Sequence, residues 1–351
     1  MASPELALIG WDVGGAHLKA AAIDRDGRAV AAQQWVCPLW EGLPRLLSAL
    51  ELAQARFGDA ARHAATMSGE MADLFTDRAE GVTRIAQTLR ERLAPQPVRI
   101  FAGRRGFVDA SAARDCAGDV ASANWAATAA LVAARVPDAL LIDIGTTTTD
   151  IVAIGGGEVL AQGRDDASRL VARELVYTGT VRTPLIAFGP AAPCGGAWIP
   201  LIPESFATMA DVYRLTGELD ERVDQHPAAD RGPKTAEASA RRIARMIGMD
   251  AAAGSPARWR ELAEWFRGRQ LEMIGQGIAA VLSRTPVARE APLVAAGCGA
   301  FLVAHIARRL QRPLADFAPL VGASRVGAAA AAQCAAALAV GLLAFETEGV
   351  A

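Results

Sequence analysis

Asp143-Ile-Gly145-Thr146-Thr147-Thr148-Thr149-Asp150 follows the apolar run Ala139 to Ile142 and leads into a second, Ile151 to Ile154, ahead of Gly155-Gly156-Gly157. Apolar and β-branched residues on both sides of a short small-residue stretch predict strand, tight turn, strand, with a carboxylate at each end of the turn. Gly145 lets backbone N–H groups turn toward an anion, and Thr146, Thr147 and Thr148 add hydroxyl donors. The plainer alternative is an ordinary hairpin in which the threonines satisfy β-propensity and turn hydrogen bonds.

A second copy of the pattern weighs against that alternative. About 130 residues upstream, Leu6 to Trp11 leads into Asp12-Val-Gly14-Gly15-Ala16-His17-Leu18-Lys19, and the apolar stretch Leu18 to Ile23 ends in the turn signal Asp24-Arg25-Asp26-Gly27. Gly14, Gly15 and Ala16 are the small donors of this loop. Lys19 places a cation within it, and the chain has only one other lysine, Lys234. Two such loops imply a phosphate group held together with a divalent metal.

A third element is Leu293-Val294-Ala295-Ala296-Gly297-Cys298-Gly299-Ala300, an apolar strand running through a small-residue turn into the helical pattern Phe301 to Leu310. In this order the three elements resemble the actin-like, sugar kinase and Hsp70 ATPase superfamily. The resemblance implies a two-domain α/β fold of duplicated ribonuclease H-like halves around a phosphate-binding cleft, with Gly297, Cys298 and Gly299 where that superfamily seats a nucleoside. Four segments narrow it: Thr66-Met-Ser68-Gly69-Glu70-Met71, Ser122-Ala-Asn124-Trp125, Thr178-Gly179-Thr180-Val181-Arg182-Thr183 and Ser324-Arg325-Val326-Gly327. They resemble the hydantoinase/oxoprolinase-related proteins, and among these the short proteins of tetrahydromethanopterin-linked C1 transfer that are similar to the methanofuran-biosynthesis synthase. The resemblance spans roughly residues 5 to 345.

What it implies is a transferase joining a furanmethanol diphosphate to the phenol of a tyrosine- or tyramine-containing acceptor, so the expected partners are small molecules. The loop amides, the threonine hydroxyls, Lys19 and Mg2+ would neutralise the diphosphate, with Asp12 and Asp143 or Asp150 on the metal. Candidate catalytic residues are Asp12, Lys19, Asp143, Asp150 and Glu70, with Asp12, Glu70 and Asp150 unranked as the base. Asn124 and Arg182 are expected in the substrate pocket. The alternatives are an ATP-dependent kinase or amidohydrolase using the same loops, and a nucleotide-gated scaffold, for which the chain shows no repeat or polar tail.

Composition agrees with a two-domain enzyme: 351 residues, 52% apolar, net charge −2 and a pI near 6.1. No electrostatic reason to bind nucleic acid follows from that balance. Five scattered cysteines without C-x-x-C spacing and four unclustered histidines point away from structural zinc and toward reduced thiols in a cytoplasmic setting. The apolar stretch Val326 to Leu343, interrupted by Gln333 and Gly341, is expected to be a buried helix rather than a membrane span. Residues 1–137 are expected to form the first domain and residues 138–351 the second, with Asp220 to Lys234 as an ordered loop, a mobile flap or a plain connector.

Overall fold

The computed structural model describes residues 5–322 and 325–348, so Ser324 of the fourth resemblance segment lies outside the described residues. The first half is built on β1 (Leu6–Val13), β2 (His17–Asp24), β3 (Ala29–Val36), β4 (Ala60–Met67), β5 (Val98–Phe101) and β6 (Phe107–Asp109). They form one sheet in the order β3-β2-β1-β4-β5-β6, with β1 antiparallel to β2 and parallel to β4. Its helices are α1 (Leu43–Phe57), α2 (Arg78–Arg92), α3 (Ala117–Val120) and α4 (Asn124–Arg135).

The second half repeats this plan. β7 (Ala139–Ile144) and β8 (Thr149–Gly155) form the hairpin read from the sequence, and β13 (Leu293–Ala296) and β14 (Leu314–Asp316) continue the sheet in parallel beyond β7. Where the first sheet has one long third strand, the second has two short ones, β9 (Glu158–Val159) and β10 (Leu175–Val176), each pairing with a different end of β8. Between them lies α5 (Asp166–Val171), closed at its start by a reciprocal capping box between Asp165 and Ser168. A separate hairpin, β11 (Ala191–Cys194) with β12 (Ala197–Pro200), precedes α6 (Met209–Thr216), α7 (Ala236–Met246), the long α8 (Pro256–Arg284) and α9 (Ala300–Leu310). The chain ends in α10 (Phe317–Leu320), α11 (Ala328–Gln333) and α12 (Ala335–Glu348).

Strand alternation divides the interior. On β1, Ile9, Trp11 and Val13 face a core shared with α1 and α2, whereas Leu8 faces the opposite way. That second core joins the two halves: Leu8, Ile23 and Ala64 of the first sheet pack with Leu141, Val152 and Val294 of the second around α4 and α12. Buried from several sides, α12 is apolar all round as far as Phe345, with Ala337, Leu338, Ala339 and Val340 fully covered. Its small residues allow close approach: a Cβ added to Gly10 would lie 2.1 Å from the Ala337 carbonyl oxygen. Among the described residues no helix is long and apolar enough to cross a membrane.

Candidate active site

The two loops are geometrically equivalent. Asp12 pairs across β1 and β2 with Lys19, and Asp143 pairs across β7 and β8 with Asp150, so each turn is flanked by two ionisable residues on neighbouring strands. Each is closed by the same hydrogen bond, Gly14 N–H to His17 O at 3.0 Å and Gly145 N–H to Thr148 O at 2.8 Å. This closure leaves the N–H groups of Gly15, Ala16, Thr146 and Thr147 with no acceptor among the described residues. Backbone amides left free in a turn are the donors an anion needs.

Both loops open into one cleft of about 470 Å3, lined from the first half by Asp12, Gly14, Gly15, Ala16, Lys19, Ser122 and Asn124, and from the second by Asp143, Gly145, Thr146, Thr147, Thr148, Asp150 and Arg182. Lys19 Nζ stands 3.4 Å from Asp12 Oδ2. Burial alone would lower the ammonium pKa, but Asp12 and Asp143 override it and keep Lys19 firmly charged. Asp143 is pushed up to about 7 by burial and by the nearby Asp150 and Asp12 carboxylates, against the pull of Lys19. Asp150 is also raised by burial; Arg169 opposes this, with Nη1 donating to Asp150 Oδ1 at 2.7 Å and the guanidinium 3.8 Å from the Trp125 ring centre.

Asp12 Oδ1 is buried without a partner among the described residues. No group of three or more His, Cys, Asp or Glu residues there forms a protein-only metal cage. An unpaired hard oxygen beside a second carboxylate and two amide-lined turns fits magnesium, which is commonly bound through one or two carboxylates with phosphate oxygens and water completing the shell.

The segment Thr178 to Thr183 buttresses the threonine turn. Thr180 N–H donates to Gly145 O, and Val181 and Arg182 N–H both donate to Thr146 O. Gly179 is packed so tightly beneath the turn that an added Cβ would sit 2.4 Å from Thr146 C and Thr147 N. Gln270 of α8 holds the segment from below, its Nε2 donating to Thr178 Oγ1 and Gly179 O at 2.8 Å each. Gly179→Ala is therefore expected to destabilise the fold by about 1–3 kcal/mol and to weaken pyrophosphate binding. Thermal unfolding and calorimetric titration check the two effects separately.

Two expected pocket elements lie elsewhere. Gly297, Cys298 and Gly299 do not line the cleft; they pack beneath the second loop, where Cys298 Sγ lies 3.1 Å from Thr180 Oγ1 and a Cβ on Gly297 would meet Ile144 O at 2.2 Å. The small residues there serve close packing of one loop against another. Glu70 also sits behind the lining, 1% exposed, bonded through Ser122. Other residues gather at the cleft without having been singled out as candidates: Trp40, Trp125, Asp166, Arg169 and Tyr177. The tract Asp220 to Lys234 is a loop whose His226 Nε2 lies 2.9 Å from Ala16 O. His226 also packs edge-on against His17, which burial first, and then His226, Lys19 and Arg182, lower to about 3. His17 is thus a neutral imidazole beside the first loop.

A family model described as hydantoinase/oxoprolinase matches residues 62–337. The chain belongs to the hydantoinase/oxoprolinase family. A protein of Methanocaldococcus jannaschii named (4-{4-[2-(gamma-L-glutamylamino)ethyl]phenoxymethyl}furan-2-yl)methanamine synthase is 29% identical over 80% of this chain and 83% of its own length. A protein of the same name from Methanococcus vannielii is 30% identical over 32% of this chain and 50% of its own. Among solved structures, the nucleotide-free acetone carboxylase superposes with a TM-score of 0.58 at 11% identity, covering 96% of this chain and 70% of that one. The fold is the two-domain actin-like α/β fold, and the hydantoinase/oxoprolinase match together with the named relatives marks the chain as an enzyme.

Proposed function

We propose that this protein is a magnesium-dependent transferase of methanofuran-type cofactor biosynthesis, joining the methylene carbon of a furanmethanol diphosphate to the oxygen of a phenol and releasing diphosphate. The observation that carries this reading is the pair of equivalent turns with free N–H groups facing one cleft that also holds Asp12, Lys19 and Asp143. The name of the Methanocaldococcus relative supports it, since it describes a phenoxymethyl-furan, the ether such a reaction would form.

In this mechanism the donor's phosphate oxygens lie between the two turns, whose free Gly15, Ala16, Thr146 and Thr147 N–H groups are fixed before the reaction begins. Charge developing on the leaving diphosphate meets donors already oriented toward it, which is where preorganised electrostatics lowers a barrier most. Lys19, held charged by two carboxylates, adds a cation at the same place. Magnesium, when bound through Asp12 and Asp143, would add Lewis-acid stabilisation of that charge. The electron-rich furan supports positive charge on its methylene, and the phenol oxygen forms the new C–O bond there.

Incubating the protein with magnesium, a furanmethanol diphosphate and a tyramine-type phenol tests the reading. Equal amounts of aryl ether and diphosphate are expected without ATP. Product that appears only with ATP, with ADP accumulating in proportion, would transfer the cleft to a kinase or amidohydrolase. Replacing Thr146 and Thr147 together with valine keeps volume and β-branching but removes two hydroxyl donors, so inhibition by pyrophosphate should weaken by about tenfold or more while the melting temperature barely changes. An unchanged inhibition constant with a large drop in melting temperature would reduce the threonines to a structural hairpin.

A further inference from the structure

The reaction proposed above needs a group to take the phenolic proton. Asp12 and Asp143 are committed to the diphosphate and metal, and Asp150 Oδ1 is held by Arg169. Glu70 lies behind the cleft wall, and Asp73, though on the lining, is exposed with no hydrogen bond among the described residues to fix it. Asp166 remains. Its side chain lines the cleft at 18% exposure beside Ser122, Asn124, Trp125 and Tyr177.

Asp166 is fixed from across the cleft by the other half of the molecule. Its Oδ2 accepts from Arg78 Nη2 at 2.9 Å and lies 3.3 Å from Ser122 Oγ, leaving Oδ1 without a bond among the described residues. Ser122 Oγ is also 2.9 Å from Glu70 Oε1. A hydroxyl carries one proton, so with both carboxyls ionised one of these contacts would set lone pair against lone pair. Glu70 is 1% exposed and its Oε2 is buried with no partner among the described residues, a place where an ionised carboxylate would be poorly compensated. Burial likewise pushes the Glu70 carboxyl above its ordinary range. With a proton of Glu70 placed toward Ser122 Oγ, the serine hydrogen is left to point at Asp166 Oδ2, and both contacts are satisfied. Ser122 holds a φ of 51°, in the left-handed region that non-glycine residues rarely adopt, as backbone strain at a functional position would have it.

We propose that Asp166 is the catalytic base for the acceptor phenol, with Ser122 and Glu70 as positioning residues behind it; this rests on the transferase reading. The phenolic proton passes to Asp166 Oδ1, the phenol oxygen's electron pair forms the bond to the donor methylene, and the methylene–oxygen bond breaks with its pair leaving on diphosphate. Asp166 then returns the proton to solvent through the open side of the cleft, and Glu70 keeps its own.

The test measures kcat for wild type, Asp166→Asn, Glu70→Gln and Ser122→Ala with a tyramine-type phenol and with ring-fluorinated analogues of lower pKa, while pyrophosphate binding reports an intact cleft. Asp166→Asn should lose about a hundredfold with the unsubstituted phenol, and much of that loss should disappear with the most acidic analogue, which is already partly phenolate. Glu70→Gln keeps a neutral donor behind Ser122 and should lose less than Ser122→Ala does, with the same dependence on phenol acidity. If Asp166→Asn fails to bind pyrophosphate, Ser122→Ala decides, with an expected loss of about tenfold that also shrinks as the phenol becomes more acidic. A rate loss of the same factor for every phenol, or near-wild-type rates in the variant used, overturns the assignment of Asp166 alone. A wild-type protein inert toward both substrates overturns the transferase reading and this assignment with it.

Discussion

Asp12→Asn and Asp143→Asn are each expected to lower turnover by at least about a hundredfold without unfolding the protein. The two residues occupy equivalent places at the ends of β1 and β7, at the mouths of loops that face the same cleft. Each amide keeps the size of the side chain and its place in the sheet but removes the charge that a divalent cation needs. Asp12 Oδ1 has no partner to lose among the described residues, but Oδ2 pairs with Lys19, so Asp12→Asn should cost some stability beside its larger effect on activity. Turnover at saturating substrate across a magnesium titration, with thermal unfolding of the same samples, separates the two. Wild-type rates in either variant at limiting magnesium would remove that carboxylate from the mechanism.

The largest stability effect is expected at Arg169, which no active-site motif marked. Its guanidinium is 1% exposed, donates to Asp150 Oδ1 at 2.7 Å and to Glu174 O at 3.1 Å, and stacks on Trp125. Arg169→Met would preserve much of the packing volume but leave the Asp150 carboxylate buried beside Asp143 without its cation. Breaking such a pair from one side typically costs about 3–5 kcal/mol. Denaturant unfolding measures it; a loss below about 1 kcal/mol would show that Asp150 does not depend on Arg169.

The loops and their duplication were legible because local chemistry dictates them. An apolar run, an aspartate and a glycine turn favour strand and turn locally, and two such elements followed by the small-residue turn at Gly297 carried the fold. Helices with clear periodicity, such as Leu43–Phe57 and Asn124–Arg135, likewise follow from local pattern. Less legible was whatever depends on contacts between distant segments. Nothing near Gly297 in sequence shows that it would pack under Ile144 rather than face a ligand. Glu70 carries the residue type of a base, yet its place behind Ser122 follows from a contact 52 residues away. Asp166 and Arg169 belong to a short helix whose capping box, Asp165 with Ser168, is visible in the sequence, but the cleft they line is assembled from both halves of the chain. The replacement of one third strand by β9 and β10 had no signal, because two-residue strands carry no periodicity.

In the proposed reaction the two loops hold a diphosphate as a leaving group while its carbon–oxygen bond breaks. Labelling the oxygen that bridges the donor methylene and its first phosphorus with oxygen-18, then following the label by mass spectrometry after turnover with magnesium and phenol but no ATP, tests it directly. All of the label is predicted in the released diphosphate and none in the aryl ether. Label retained in a furanmethanol, with phosphate transferred to the phenol, would place the attack at phosphorus and contradict the account.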